Sequence, residues 1–226
     1  MREMASALLI VIDGPAGAGK STVARRLAEH YGLPTLDTGA IYRALALIAR
    51  ERGVDWSDEA ALAALADELP IAFVAESGAA QRVELAGRDV TAAIRTPEIS
   101  EGASRVSAHP AVRRALLGIQ RRLGAAGCVA EGRDLGSVVF PDAPFKFFLT
   151  ADDRVRAARR LSELPEGLPL EQVLQDLQAR DERDQSRAAA PLVQAPDAVR
   201  VDSTGLDLDG VVSAIMAAVD GRRRAG

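Results

Sequence analysis

The sequence contains no asparagine, one cysteine and only two lysines in 226 residues. The single cysteine, Cys128, excludes both an intramolecular disulfide and a metal site built from cysteines. The lack of asparagine excludes the Asn-Lys-x-Asp element with which regulatory GTPases read guanine. No apolar run, the N-terminal run Ala7–Ile12 included, is long enough to span a bilayer or to form a signal peptide, so we expect a cytoplasmic protein.

The basic residues are almost all arginine, since Lys20 and Lys146 are the only lysines. The formal net charge is −4, which gives no overall basic surface, so we expect neither nucleic acid nor a membrane as a partner. Arginine can bind a phosphate group with two parallel hydrogen bonds, which lysine cannot, but a codon bias would produce the same excess of arginine. The local placement of the arginines is therefore more informative than their number.

The apolar pattern predicts an α/β fold in which strands alternate with helices. Ala7–Ile12 is a continuous apolar run of the kind that forms a buried parallel strand. Further strands are predicted at Thr35–Leu36, Cys128–Ala130, Phe145–Leu149 and Val199–Asp202. Helices are predicted at Ser21–Tyr31, Thr38–Arg52, Asp58–Leu69, twice within Thr96–Ala126, and at Asp153–Glu163, Leu170–Arg183 and Leu208–Val219, with a frayed tail at Arg222–Arg224. This order predicts a parallel sheet that is flanked by helices on both faces.

The pattern changes between Ile71 and Val90, where short β-prone segments replace the longer elements. The segments are Ile71–Ala75, Arg82–Leu85 and Arg88–Val90, and the turns between them are Ser77-Gly78 and Ala86-Gly87. Closely spaced short strands with glycine-containing turns pair antiparallel. We therefore predict a small antiparallel insertion in the α/β fold.

A phosphate-binding loop follows the first predicted strand. Residues 14–21 read Gly-Pro-Ala-Gly-Ala-Gly-Lys-Ser, which matches G-x-x-x-x-G-K-[ST], with a strand before it and a helix after it. In such a loop the backbone N–H groups and the helix N-terminus bind phosphate, Lys20 reaches the terminal phosphates, and the Ser21 hydroxyl can ligate Mg²⁺. We expect ATP to contact nine residues of the loop, namely Gly14, Pro15, Ala16, Gly17, Ala18, Gly19, Lys20, Ser21 and Thr22.

Among proteins with this loop, a kinase for a small molecule agrees best with the rest of the sequence. Asp202-Ser203-Thr204-Gly205 matches the D-x-x-G of GTPase switches, but it lies near the C-terminus and is interpreted as a strand end and turn. Ala130-Glu131 resembles only faintly the acidic strand end of helicases and transporter ATPases. A small-molecule kinase needs an acceptor pocket, positive charge around the transferred phosphoryl group, and a lid that excludes water.

Several arginines are placed where such a kinase needs them. Arg43 and Arg133 follow predicted strands, and ligands of doubly wound sheets bind at the carboxyl ends of the strands. Arg156 and Arg160 are four residues apart on one predicted helix, which puts them on one face. A second arginine-rich group spans residues 180–187. For these two groups a solvated, salt-bridged helix surface is an equally good interpretation.

Four blocks of sequence together resemble the bacterial cytidylate kinases. They are Ile12–Thr22, Leu36–Arg43, Glu131–Pro141 and Arg180–Arg187, the last followed by Ala190-Pro191-Leu192. The resemblance runs from Leu8 to Val219, and the later blocks are more specific than the phosphate-binding loop. It implies a P-loop kinase that transfers the γ-phosphate of ATP to CMP or dCMP, with Mg²⁺ bound to ATP. We expect a monomer with no partner beyond these substrates.

The resemblance also implies roles for individual residues. Thr38 and Tyr42 match positions that line the acceptor pocket, and Arg43, Arg133 and Arg187 match positions that hold the acceptor phosphate. Ser104, Arg113 and Asp134 match positions that read the cytosine edge, and Arg180 and Asp184 match positions that contact the sugar. In the lid, we expect Arg156 to contact ATP, and we expect Arg160 to act in catalysis together with Lys20, Arg133 and Arg187.

The resemblance implies one kinase domain over residues 1–226, in which residues 60–108 form the inserted acceptor-binding subdomain and residues 151–187 form the lid. In that family the monophosphate is held between the core and the acceptor domain. Two alternatives stay open at this point. One is a P-loop kinase for another small acceptor, and the other is a nucleotide-dependent switch protein.

Overall fold

The computed structural model describes residues 8–74, 81–164 and 167–225. Its strands are β1 (Leu9–Asp13), β2 (Thr35–Asp37), β3 (Ile71–Val74), β4 (Arg82–Leu85), β5 (Arg88–Asp89), β6 (Cys128–Gly132), β7 (Phe145–Thr150) and β8 (Val199–Asp202). Five of them form a parallel sheet in the order β2-β6-β1-β7-β8. The predicted α/β class and its parallel sheet are confirmed, since consecutive strands of this sheet are joined through helices.

Eight helices accompany the strands in the described part of the chain. They are α1 (Lys20–Tyr31), α2 (Thr38–Glu51), α3 (Glu59–Asp67), α4 (Pro97–Val106), α5 (Pro110–Gly124), α6 (Asp153–Leu161), α7 (Leu170–Ser186) and α8 (Leu208–Ala225). Local sequence explains several helix starts. The side chains of Asp37, Asp58 and Thr96 accept hydrogen bonds from the first turns of α2, α3 and α4, and Pro97 occupies the first position of α4.

The chain divides into two compact units. The first contains the described residues of 1–35, 124–186 and 190–226, and the second contains the described residues of 36–123 and 187–189. In the first unit, β1 lies between β6 and β7, and Ile10 and Ile12 are fully buried. They belong to one apolar cluster with Leu27 of α1 and Ile215 of α8, so helices cover the sheet where its strands are most apolar.

The second unit contains an antiparallel sheet in the order β3-β4-β5, which confirms the predicted antiparallel pairing. Leu85 pairs with Arg88, so the connection between β4 and β5 is the two-residue turn Ala86-Gly87. Both turn residues have positive φ, 49° and 77°, as the tightest hairpin turns require. The predicted turn at Ser77-Gly78 lies outside the described residues.

The sequence patterns missed two short helical turns and misjudged one helix end. The turns are Ala93–Arg95 and Leu135–Val139. The expected fraying of Arg222–Arg224 is wrong, because α8 continues to Ala225 and the Arg222 side chain donates to the carbonyl of Pro144 at 3.1 Å. Cationic side chains are favourable at the C-terminal end of a helix, where the carbonyl dipoles point outward. Within the described residues, no helix has both the length and the apolar character needed to cross a membrane.

Candidate active site

The phosphate-binding loop joins β1 to α1 and depends on glycine for its shape. Gly14 has a φ of 149°, and a Cβ at this position would lie 2.0 Å from the carbonyl oxygen of Leu149 in β7. Gly17 has a φ of 73°, and a Cβ there would lie 3.0 Å from the carbonyl oxygen of Arg156 in α6. A side chain at either position would force the loop away from its neighbours. The glycines of the motif therefore allow the loop to pack against β7 and α6.

Lys20 is buried at the first position of α1 and donates from its Nζ to the carbonyl oxygen of Pro15 at 2.8 Å. Burial, together with the positive charges of Arg133 and Arg180, lowers the pKa of Lys20 to about 7 against the opposing charges of Glu131 and Asp181. The electrostatics therefore place Lys20 in a group of cations beside the loop, where anionic phosphates would be stabilised.

The Ser21 hydroxyl donates to Oε1 of Glu131 at 2.6 Å. Glu131 lies in β6, in the strand next to β1, and is buried. Hydroxyl and carboxylate oxygens are ligands that Mg²⁺ prefers, and Mg²⁺ in kinases is held by one or two carboxylates together with substrate phosphates. The pair Ser21–Glu131 fits such a nucleotide-borne ion. The part of the chain that the structure describes contains no cluster of three or more His, Cys, Asp or Glu side chains suited to a metal.

Arg133 directly follows β6 and donates from Nε to Oδ2 of Asp184 in α7 at 3.0 Å. Burial by itself would lower the pKa of this guanidinium, but the negative charges of Asp184, Glu131 and Asp181 raise it. The two predicted site residues Arg133 and Asp184 are thus in direct contact. The predicted sugar contact Arg180 lies on α7 close enough to affect Lys20 electrostatically.

Asp134 is buried and directly precedes the helical turn Leu135–Val139. The N–H of Val138 in this turn donates to the Asp134 carbonyl at 2.9 Å. This turn is fixed by Asp13, the last residue of β1. The Asp13 carboxylate accepts from the N–H groups of Leu135 and Gly136 at 2.9 and 2.7 Å. Burial raises the pKa of Asp13 to about 6 against the effect of these two hydrogen bonds. Asp13 therefore positions the segment that carries Arg133 and Asp134.

The two arginines predicted in the lid differ in their surroundings. Arg156 is buried and donates to the carbonyl of Ala16 and to the carboxylates of Asp153 and Asp181. Arg160 is on the more exposed side of α6 and donates to Glu163 at 2.8 Å. The structure thus brings Arg156 to the phosphate-binding loop, whereas the contact it gives for Arg160 is local to the helix end. The expected ATP contact of Arg156 and catalytic role of Arg160 remain predictions.

In the second unit, Arg43 forms an ion pair with Asp37 at 2.6 Å. Although burial would raise the pKa of Asp37, the charge of Arg43 and the hydrogen bond from the Ala40 N–H lower it. Thr38 and Tyr42 lie on the same helix as Arg43, and both are buried. The guanidinium carbon of Arg113 lies 5.2 Å from the centre of the Tyr42 ring, and its Nη1 donates to the carbonyl of Ser107 at 3.1 Å.

Ser104 is buried in α4, and its hydroxyl has no hydrogen-bond partner among the described residues. A buried hydroxyl without a partner costs free energy, so it is well suited to bind a polar ligand group. Arg187 follows the end of α7 and belongs to the second unit. The second unit therefore contains the predicted acceptor residues Thr38, Tyr42, Arg43, Ser104, Arg113 and Arg187, and the first contains Arg133, Asp134, Arg180 and Asp184.

Three residues of the site were missed by the sequence motifs: Asp13, Glu131 and Asp181. Their partners are 122, 110 and 165 positions away along the chain. The only available signals were the position of Asp13 and Glu131 at the ends of apolar strands and the acidic residues among the arginines of α7. These signals show where a carboxylate lies in an element, but not which group it contacts.

Comparison with known proteins gives the family. A family model described as cytidylate kinase matches residues 10–221. The chain belongs to the cytidylate kinase family. It is 48% identical to a cytidylate kinase of Saccharophagus degradans, with 96% of this chain and 98% of that protein covered. It is 49% identical to one of Azotobacter vinelandii, with 97% and 98% covered, and 50% identical to one of Pseudomonas aeruginosa, with 92% and 93% covered.

Solved structures agree with this family at the level of the fold. The crystal structure of an uncharacterized protein from Eubacterium ventriosum superposes with a TM-score of 0.51 at 15% identity, covering 94% of this chain and 98% of that one. A likeness at this identity shows the fold alone. The assignment of this chain to the cytidylate kinase family therefore depends on the sequence comparisons and not on the superposition.

Proposed function

We propose that this member of the cytidylate kinase family transfers the γ-phosphate of ATP to CMP or dCMP, giving ADP and CDP or dCDP. The observation that carries the proposal is the phosphate-binding loop with its buried Lys20, whose charge is affected by the nearby Arg133 and Arg180. Phosphoryl transfer needs little covalent help from a protein, because positioning and charge stabilisation supply most of the catalysis. The buried Lys20 and the half-buried Arg133 and Arg180 supply that stabilisation.

Lys20 and the loop would bind the donor. The pKa of Lys20 is about 7 without nucleotide, and the anionic phosphates of ATP favour the charged amine, so donor binding protonates it. Arg133 and Arg180 then add positive charge where negative charge develops on the transferred group. The acceptor phosphate is already an anion and needs no general base.

Ser104, Arg113 and Asp134 are proposed to recognise the acceptor base. The amino group of cytosine is a donor that the Asp134 carboxylate can accept, and its ring acceptors can be met by the Ser104 hydroxyl and the Arg113 guanidinium. Uracil has a carbonyl in place of this amino group and an N–H in place of the ring nitrogen acceptor, which leaves a buried polar group unpaired at a cost of about 1–3 kcal/mol. The buried Ser104 hydroxyl without a partner in the described residues supports this proposal.

Mg²⁺ is proposed to accompany ATP, with Ser21 and Glu131 as the residues that would hold it. When bound, the ion supplies positive charge that neutralises the triphosphate and orients its terminal group. The 2.6 Å contact between these two side chains supports this proposal, because their oxygens lie close enough together to bind one ion.

A single coupled assay of ADP release tests the function. ATP and Mg²⁺ are supplied with CMP, dCMP, UMP, AMP or GMP in turn, and CMP and dCMP are expected to accelerate ADP release far more than the others. If none accelerates it and ADP forms slowly without an acceptor, a switch protein is the better description. If another monophosphate is preferred, the chain is a kinase for a different acceptor.

We further propose a cytoplasmic monomer. The proposed substrates are nucleotides, and the one cysteine, Cys128, is a buried free thiol whose pKa burial raises to about 12. Light scattering coupled to gel filtration is expected to give the mass of one chain, 23.8 kDa. A mass of two chains would contradict the monomer without affecting the proposed reaction.

A further inference from the structure

One residue of the phosphate-binding loop, Ala16, has both of its backbone polar groups bound by the helices that follow β7. Its N–H donates to Oδ1 of Asp181 in α7 at 3.0 Å. Its carbonyl accepts from Nη1 of Arg156 in α6 at 2.7 Å. Arg156 and Asp181 also form an ion pair with each other. We call this closed set of contacts between Ala16, Arg156 and Asp181 the Ala16 clasp.

All three members of the Ala16 clasp are buried, with 4%, 5% and 6% of their surfaces exposed. Every side-chain nitrogen of Arg156 is engaged, because Nε donates to the Ala151 carbonyl and Nη2 to the Asp153 carboxylate. Hydrogen bonds between charged groups are about twice as strong as neutral ones, and losing one partner of a buried pair leaves an uncompensated charge. The clasp is therefore a rigid attachment of the loop to α6 and α7.

The apolar side of Ala16 strengthens the attachment. Its methyl group belongs to a small apolar cluster with Ala157 of α6 and with Val173 and Leu177 of α7. The loop is thus joined to both helices by its polar groups and by its side chain. This cluster is separate from the large apolar cluster that covers the central sheet.

A phosphate-binding loop binds through several N–H groups that must point to one place. If the loop has to be ordered when the ligand arrives, the entropy of ordering is subtracted from the affinity, and holding it beforehand avoids that loss. We propose that Asp181 is a positioning residue of the donor site, which acts through Ala16 and Arg156 to hold the phosphate-binding loop ready for ATP. The inference rests on the proposed function only in taking ATP as the donor.

The test compares Asp181→Asn with Glu182→Gln in the full chain. Glu182 is the next residue of α7 and is exposed, so its variant removes the same charge without touching the clasp. ATP affinity is measured by calorimetry without acceptor, and kcat and both KM values are measured by the coupled assay. Loss of a buried charge-assisted bond predicts that the Kd and KM for ATP rise roughly tenfold or more in Asp181→Asn. The KM for CMP is expected to stay close to that of the parent, as are all constants of Glu182→Gln.

A double variant, Arg156→Met with Asp181→Leu, separates positioning from stability. Replacing a buried ion pair by apolar side chains of similar volume often preserves or raises stability. The melting temperature is therefore expected to fall less than in Asp181→Asn, which leaves the Arg156 charge unpaired, while ATP affinity stays low because no group binds the Ala16 backbone. Asp181→Asn, which keeps Arg156, separates this loss from that of a direct contact between Arg156 and ATP. Parent-like ATP affinity in this variant would overturn the proposal, since the pair would then serve stability alone.

Equal or tighter binding of ATP to Asp181→Asn would also overturn the proposal, because the carboxylate would then repel the donor. The proposed function fails separately. A parent protein that binds ATP in the calorimeter but shows no CMP-dependent ADP release contradicts the cytidylate kinase reaction, while the Asp181 inference is still decided by the ATP affinities.

Discussion

At the scale of single residues, the charge state of Lys20 is the feature with the clearest functional consequence. Its amine is buried among cations, and its pKa falls to about 7. Above pH 7 the nucleotide-free protein therefore holds Lys20 largely neutral, while the bound triphosphate requires it charged. Binding must then take up a proton, and by linkage the affinity falls as the pH rises.

We expect ATP affinity to weaken as the pH rises from 7.5 to 9, approaching about tenfold per pH unit. The phosphates do not titrate in this range, since the second pKa of a phosphate ester is about 6. Calorimetry in two buffers of different ionisation enthalpy measures the proton taken up on binding. In Lys20→Arg the side chain is always charged, so binding is expected to be independent of pH. Binding is also expected to be weaker, because a planar guanidinium does not replace the compact ammonium group of lysine. An affinity of the parent that does not change over this range would contradict the low pKa of Lys20.

The residues of the site divide into those that a linear motif can predict and those that it cannot. Lys20 and Ser21 lie within eight consecutive positions whose chemistry is fixed by the loop itself. Glu131 and Asp181 act only through contacts with Ser21 and Ala16, which are 110 and 165 positions away. Spacing along the chain has no information on such pairs until the strand order and helix packing are known.

At the scale of elements, the central strands β1, β6 and β7 were predicted well because buried parallel strands are largely continuous apolar runs. The turn Leu135–Val139 was missed because its start depends on Asp13, a residue of another strand. Helix α4 shows a related effect of packing on local preference. Gly102 lies inside this helix, where glycine is usually unfavourable, yet it contacts the ring of Trp56.

We expect Gly102→Ala to destabilise the protein and Gly118→Ala to stabilise it. A Cβ at Gly102 would lie 2.5 Å from the Trp56 ring, so the overpacking cost of about 1–3 kcal/mol exceeds the helix gain. A Cβ at Gly118 in α5 meets nothing within 4 Å, so alanine is expected to add about 0.5–1 kcal/mol.

Urea unfolding of both variants measures the two free energies, and the emission of Trp56, the only tryptophan, reports the local change. A Gly102→Ala protein that gains stability as Gly118→Ala does would show that the indole ring moves aside at no cost. A shift of α4 in Gly102→Ala would also move Ser104, which lies two positions further along the same helix.

At the scale of the whole molecule, the predicted acceptor residues are divided between the two compact units, with Asp134 in the first and Ser104 and Arg113 in the second. The donor residues of the phosphate-binding loop all belong to the first unit. Because Asp134 is predicted to contact only the acceptor, donor and acceptor binding are expected to respond differently to a change at Asp134, and both are best measured on the complete chain.

A ligand that binds only the folded protein raises its melting temperature, and at 100 times its Kd the gain is about 2.7 kcal/mol. We expect ATP and CMP each to raise the melting temperature of the parent. In Asp134→Ala the shift with CMP is expected to fall to about half or less and the shift with ATP to persist, because the carboxylate is proposed to accept from the cytosine amino group. The kcat/KM for CMP should fall about 10- to 100-fold, as the loss of a buried hydrogen bond to a charged group implies.

Asp142→Ala is the matched control, since Asp142 is exposed and lies shortly after the same helical turn. Its removal changes the net charge by the same amount and is expected to leave both shifts intact. If Asp134→Ala abolished the ATP shift and kept the CMP shift, Asp134 would serve the donor instead. Asp13 fixes the turn that Asp134 begins, and it is followed directly by Gly14 of the phosphate-binding loop. Such a result would therefore also indicate that Asp13 influences the shape of that loop.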